Sequence, residues 1–503
     1  MNKQTLLPLF FLLLMGLARP WPTLAADAVV GDGTAASCTE TAFDAAFLTA
    51  NGGGGTITFN CGDSPITIPF TLVKYANLGN VTIDGGNQIT LTAGPNDRHF
   101  FIGNGVTVTL RGLILQGGDS LVNGGSLEIS SATVLLDGVQ LVGNRTAVSG
   151  GAIYCYDATL TIQNSRLADN EAVTGGAIFN DGCTIDIAHT TFTANRTGNT
   201  GRGGAIENAP LGMLTVRHSH FETNLALDGG GLYNASGATA DLAAVTFVEN
   251  TAGYGGGIEN NGTLTLSHSL IDGNQVTGSG GGLWNSGGTA TIAQTTFHDN
   301  FAYEGGGISS YGTHLELNEV NITSNVANGL GGTPSGGGLH LVSGTANITN
   351  ATIASNYAAT NGGGIYHASD DNLVLTNVTI AGNAAAQLGG GVYHVGRYAV
   401  LVNATLANNI ASVAGNAIYE DSPMTPANPG VVQLANSVIF GSANNCDGGL
   451  FQSLGHNISQ GSCAALSDPT DQENVAGDLL LGHWLITGEV LRCRRCCPKR
   501  GVR

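Results

Sequence analysis

The phrase Gly150-Gly151-Ala152-Ile153 returns along the chain at a nearly fixed interval, and that interval decides what the chain can fold into. It recurs as Gly175-Gly176-Ala177-Ile178 and Gly203-Gly204-Ala205-Ile206, then from Gly229, Gly255, Gly280, Gly305, Gly336, Gly362 and Gly389. A worn copy, Gly415-Asn416-Ala417-Ile418, closes the series. Successive copies lie 25, 28, 26, 26, 25, 25, 31, 26, 27 and 26 residues apart. A period between about 20 and 50 residues marks a stacked repeat, in which one coil cannot bury a core without its neighbours.

Each period carries a second mark, an apolar residue followed by two variable ones and Asn. It ends at Asn144, Asn170, Asn195, Asn224, Asn250, Asn274, Asn300, Asn325, Asn356, Asn383 and Asn409. Between the marks lie short segments such as Leu264-Thr265-Leu266, whose alternation of apolar residues with Thr reads as a half-buried strand. Strands this short, without helices, bury a core only by pairing with their equivalents one coil on, about 4.8 Å away. The expectation is an all-β fold, a single parallel β-helix with coils of about 25 residues. Eleven marked coils and about three before them give a rod of roughly 65 Å. In this arrangement Asn forms a hydrogen-bonded ladder at a turn, the paired Gly permit positive φ or close approach, and the apolar residue after them points inward.

Composition agrees. Gly is 77 of 503 residues, 42% is hydrophobic and only 11% charged, which argues against disorder; Gly without a three-residue period excludes collagen.

Residues 1–26 read as a secretory signal: Lys3, an apolar run from Leu6 to Leu17, then small residues with cleavage after Ala25 or Ala26. The run is too short to span a bilayer, and no other stretch is long enough. Residues 27–64 read as an N-terminal cap. Thr39 is placed to N-cap a short helix with Phe43, Ala46 and Phe47 on one face, followed by the strand Thr56 to Phe59. Cys38 and Cys61 flank this unit and, in an exported chain, are candidates for a disulfide. Cys155 and Cys183 lie on successive coils but three positions out of register, and their pairing stays open.

The net charge of −19 is unevenly spread. The body holds nine basic residues against 35 acidic ones, with no Lys or Arg between Arg217 and Arg397. Nucleic acid is therefore excluded as a partner, and polyuronates fit poorly unless metal ions bridge them.

The Gly-Gly-Ala-Ile and Phe-x-x-Asn phrases resemble those of the polymorphic outer membrane protein family. They resemble still more the exported bacterial β-helix proteins that end in a choice-of-anchor module. The likeness covers residues 30–481. It implies a right-handed β-helix of the pectate-lyase-like superfamily over residues 65–425 and an end module over 426–481. The stretch from Asn444-Asn445-Cys446 to Cys463 carries the module resemblance, which implies a second disulfide, Cys446 to Cys463, and a structural His456. The family pattern would continue Leu-Gly-Pro-Leu-Ala-Asp-Asn-Gly-Gly, whereas residues 482–503 depart from it. A codon choice for Gly482 to Glu489 spells Pro-Leu-Ala-Asp-Asn-Gly-Gly when read two bases later, so a frameshift near Gly482 is expected. Cys493, Cys496 and Cys497 in that tail lack the second half of a metal site.

Lyases of this superfamily hold Ca²⁺ with several carboxylates and use a basic side chain as proton acceptor. Arg145, Arg166 and Arg196 lie on three consecutive coils without a facing Asp cluster, and Asp370-Asp371 reads as a solvated turn. His189, His218 and His268 share a column with Asn and Gln in other coils; His367 and His394 share one with Asn180 and Asn208. Such columns read as hydrogen-bonding ladders. No catalytic, metal or cofactor-binding residue is therefore assigned, Ca²⁺ being the one cofactor the resemblance implies. The expected function is a secreted or cell-surface rod, non-catalytic and adhesin-like or binding glycans or cell-surface components, with outer-membrane association left open. The alternative is a polysaccharide lyase or glycoside hydrolase.

Overall fold

The structure is a computed structural model that describes residues 26–475, apart from 330–331, 422–429, 442–443 and 464–465. The signal region before Ala26 and the divergent tail from residue 482 lie outside the described residues.

One coil shows the plan. Strand Ile258–Asn260 follows the Gly pair, then come Thr263–Ser267, Leu270–Asp272 and Gln275–Val276. Each pairs in parallel with its equivalent one coil on, as Ile258 with Leu283, Leu264 with Ala290 and Ile271 with Phe297. Repeated along the rod, the strands after the Gly pairs make a 16-stranded parallel sheet, and the next two strands of each coil merge into a 31-stranded one. The two-residue strands form a 4-stranded and a 7-stranded sheet, joined by bridges from Leu225 to Arg196 and Thr251. The chain is thus a right-handed parallel β-solenoid of about 16 turns, with one α-helix among the described residues. It outlasts its sequence marks: Ile418 pairs with Cys446, which pairs with Cys463, so the chain after the last Gly phrase adds further rungs.

The corners explain the columns. In the coil above, His268, Gly273 and Gly280 have φ of 52°, 63° and 72°. The His268 corner is the column of Asn164, His189, His218, Gln294, Asn350, Asn377 and Asn403, all left-handed, which accounts for its Asn content. Ladder bonding there is partial: Asn377, Asn403 and Asn436 each donate to the preceding Asn at 3.2, 2.9 and 2.6 Å, and Gln294 donates to Glu319 at 3.0 Å. His189 and His218 instead stack at 5.1 Å. The two glycines of the phrase have different duties. Gly150 has φ 73° and a Cβ there would lie 2.2 Å from the carbonyl oxygen of Ile153; at Gly151 it would lie 2.0 Å from that of Gly176, in the next coil.

Inside, Ile153, Ile178, Ile206, Leu232 and Ile258 are fully buried, as is the apolar residue of each Asn phrase, with Phe192, Phe221 and Phe247 stacked at 4.6 and 4.5 Å. The Asn column is a continuous buried ladder. Asn224 Nδ2 donates to Asn250 Oδ1 at 2.9 Å and to the Phe192 carbonyl at 3.0 Å, while its backbone N–H also donates to Asn250 Oδ1 at 3.0 Å. The pattern runs from Asn144 to Asn409. It satisfies groups that burial without partners would leave at a cost of about 1–3 kcal/mol each.

At the N-terminal end, helix Glu40–Gly53 is capped by Thr39, whose side chain accepts from the Ala42 N–H. Phe43 and Phe47 lie against Phe100, closing the first coils, and Lys74 reaches Glu40 and Asp44 at 2.7 Å each. Disulfides join Cys38 to Cys61, Cys446 to Cys463, and Cys155 to Cys183. The third overcomes the offset in register because the chain turns between Asn180 and Cys183. The Cys183 N–H donates to Asn180 Oδ1 at 2.8 Å, and the turn brings Cys183 back within a Cα separation of 6.1 Å from Cys155.

Candidate functional site

Side chains on the outer face of the 31-stranded sheet are mostly short: Thr215, Asp241, Thr265 and Thr291 follow one another in register. The 16-stranded sheet presents a different row. In register come Glu207, Tyr233, Glu259, Trp284, Ser309, His340, Tyr366, Tyr393 and Tyr419. They project outward because each sits between two inward residues of a three-residue strand, as Glu259 does between Ile258 and Asn260. Beside this row run the residues that precede each Gly pair, Arg202, Asp228, Tyr254, Ser279 and Glu304. The left-handed turn at the Gly folds one row back along the other.

Contacts between the rows define the site. Arg202 Nε lies 3.5 Å from Asp228 Oδ2, and its guanidinium covers the Tyr233 ring at 5.0 Å. Tyr254 stacks on Trp284 at 4.5 Å. Glu304 Oε2 accepts from Ser279 Oγ at 3.3 Å and the Tyr311 hydroxyl at 3.0 Å, with His340 Nδ1 3.9 Å away. His340, Tyr366, Tyr393 and Tyr419 continue as a stack with centroids 4.8, 5.2 and 5.9 Å apart. Their faces meet one another; His340 and Tyr393 are buried, and the half-buried Tyr366 and Tyr419 bring ring edges to the surface.

The carboxylates here are perturbed. Burial pushes Glu207 up to about 7 against the pull of the Thr174 hydroxyl and Arg202, and pushes Glu259 up to about 8, with Asp228 adding to the rise. Burial likewise raises Asp228, opposed by Arg202, and lowers His340 to about 4, opposed by Glu304. Glu207 Oε2, Glu259 Oε2 and Trp284 Nε1 are buried without a hydrogen-bond partner. Unpaired polar atoms of this kind, buried beside the half-buried Trp284 and exposed Tyr254, are what a ligand satisfies.

Beneath the row lies a second buried ladder. Asn180 Nδ2 donates to Asn208 Oδ1, and the chain of amides continues through Asn234 and Asn260 to Asn285 at 2.7 to 2.8 Å per bond. The same slot later holds His367 and His394, whose Nδ1 atoms lie 2.8 Å apart, and His394 Nε2 lies 3.5 Å from Glu420.

Other sequence candidates fall elsewhere. Arg145 and Arg196 belong to the small third sheet, paired with Asp119 at 3.2 Å and Glu171 at 2.7 Å, whereas Arg166 lies in the 31-stranded sheet, so the three form no common strip. Asp371 is held in its turn by a backbone bond to Ser369 Oγ, and His456 is an exposed left-handed corner. Among the described residues no three His, Cys, Asp or Glu side chains gather as a metal site. Sequence reasoning missed Arg202, Glu207, Asp228 and Glu259. The signal was there in Ile206-Glu207-Asn208 and Ile258-Glu259-Asn260, one tripeptide repeated two coils apart.

The fold and this outer row define a parallel β-solenoid with one chemically distinct face. No family model and no curated protein matches the chain. Among solved structures it is similar to PfbA, a surface adhesin of Streptococcus pneumoniae, at 12% identity and a TM-score of 0.35, covering 72% of this chain and 92% of that one. It is also similar to the mannuronan C-5 epimerase AlgE6 A-module of Azotobacter vinelandii (12% identity, TM-score 0.28, 87% and 100% covered). A third is the catalytic domain of a GH87 alpha-1,3-glucanase in complex with nigerose (13% identity, TM-score 0.27, 92% and 69% covered).

Proposed function

We propose that the protein is an exported or surface-displayed rod, of the polymorphic outer membrane protein and choice-of-anchor kind, that binds a linear glycan along the outer face of the 16-stranded sheet. The observation that carries this is the contrast between faces. A row of Tyr, Trp, His and Glu runs from Glu207 to Tyr419, while the outer row of the larger sheet is mostly Thr and other short side chains. Rings with polar edges and convergent carboxylates are the groups that recognise sugar rings and hydroxyls. A solenoid repeats them along its length, matching a ligand that also repeats. Three disulfides suit an oxidising, exported setting.

A glycan array probed with the protein and with Trp284→Ala tests the reading; binding that the substitution leaves intact would remove this face from consideration. Incubation with polyuronates and neutral polysaccharides, with and without Ca²⁺, tests the enzymatic alternative. New reducing ends or unsaturated products would replace binding with cleavage.

A further inference from the structure

The ligand class follows from the middle of the face. Tyr254 stacks on Trp284, and Tyr311 donates to Glu304 one coil further on. Three aromatic rings thus lie within two coils of a carboxylate. Glu259, the neighbour of Trp284 in the row, is only 3% exposed, and one of its oxygens has no donor. No Lys or Arg occurs between Arg217 and Arg397; Arg202, paired with Asp228 and lying over Tyr233, is the cation whose charge reaches Glu259. Aromatic faces and carboxylates together attract a cation, through the ring quadrupole and charge-assisted hydrogen bonds. A uronate brought here would meet like charge, with Arg202 already paired to Asp228.

We propose that Tyr254, Trp284, Tyr311, Glu259 and Glu304 form a subsite for a protonated amino sugar, so that the glycan bound is a linear polymer of de-N-acetylated hexosamine. The inference rests on the glycan-binding reading above and names its ligand. The ammonium lies against the Tyr254–Trp284 pair and Glu304, while the sugar chain follows the row toward Tyr366. An ammonium beside Glu259 favours its ionised form, which burial alone disfavours, so binding near neutral pH releases a proton.

Calorimetric titration of the full chain with a glucosamine oligomer, its N-acetylated counterpart and an oligogalacturonate tests this. Buffers of different ionisation enthalpy report the proton. The glucosamine oligomer is expected to bind roughly tenfold or more tighter than the other two, and Glu304→Gln and Tyr254→Ala each to weaken it roughly tenfold. Tyr254 is partly exposed, so its variant keeps the test open if Glu304→Gln folds poorly. Proton release is expected at about pH 7 and is lost in Glu259→Gln. Equal binding of the N-acetylated oligomer, sensitive to Tyr254→Ala, would overturn the amino-sugar inference and leave the glycan reading standing. Preference for the oligogalacturonate would also overturn the inference. Binding of no oligosaccharide of any class would overturn both.

Discussion

Glu207 and Glu259 stand in the same outward slot two coils apart, with Tyr233 in the coil between them, and each keeps one buried carboxylate oxygen without a hydrogen-bond partner. Both carboxyls have folded values well above the ordinary 4.5, at about 7 and about 8, because burial disfavours the charge. Between 4.5 and those values the folded chain holds more protons than the unfolded one, so stability falls as pH rises through that window. Glu259→Gln is expected to stabilise the central coils at about pH 8 by on the order of 1–3 kcal/mol and to flatten the slope. Hydrogen exchange of residues 228–285 across pH reports it; a slope identical to the parent's would contradict the burial of this carboxyl.

The buried histidines impose the opposite trend on the C-terminal coils. Burial lowers His367 to about 3, helped by the neighbouring His394, and lowers His394 to about 4. The unfolded chain takes up these protons near 6.5, so stability falls as pH drops from there toward 4. Other coils place Asn in this slot. The double variant His367→Asn/His394→Asn is expected to lose most of this acid sensitivity, read as the change in midpoint between about pH 4 and pH 7.

The Asn ladder is the most exacting internal feature. Asn250→Ala removes the acceptor of both the Asn224 amide and its backbone N–H, and the donor to the Phe221 carbonyl. The expected loss is on the order of 3–5 kcal/mol, confined to nearby coils. Thr265→Ala, on the outer row of the large sheet, should stay within about 0.5 kcal/mol. Urea unfolding of the two variants compares them; similar losses would contradict the ladder's role.

Cys155 and Cys183, separated by 28 residues, tie two successive coils. Chain-entropy arguments put a closure of that length at about 3–4 kcal/mol against the unfolded chain. Replacing both with Ala is expected to lower the thermal midpoint and raise exchange in residues 153–188, while leaving coils beyond Asn300 unchanged. Protection unchanged throughout would argue that this link stabilises nothing.

What the sequence made legible was what repeats. Gly150 and Asn144 recur because backbone geometry and burial leave few other residues able to serve there, so their columns announced the coil and its stacking. The corner residue His268 was visible as a column, but its left-handed φ is a backbone property that a mixture of His, Asn and Gln does not spell out. The outer face was hardest to read. Arg202 and Glu207 lie five positions apart in the chain, and only the turn at Gly203 folds their rows together, so no contiguous motif records the cluster. The Cys155–Cys183 link stayed open for a related reason, since a three-residue offset is closed by the turn after Asn180.

Trp284 offers the most direct measurement of glycan binding on this face. With Trp21 and Trp484 changed to Phe it is the sole indole of the chain, and it stacks against Tyr254 with a buried, unpartnered Nε1. Its fluorescence can be titrated with neutral, amino and uronic oligosaccharides. A saturable change with the amino oligosaccharide, lost in Tyr254→Ala, is the expected result. Saturable binding of an oligosaccharide by an independent method, with Trp284 emission unmoved, would contradict the assignment of the binding face to the 16-stranded sheet.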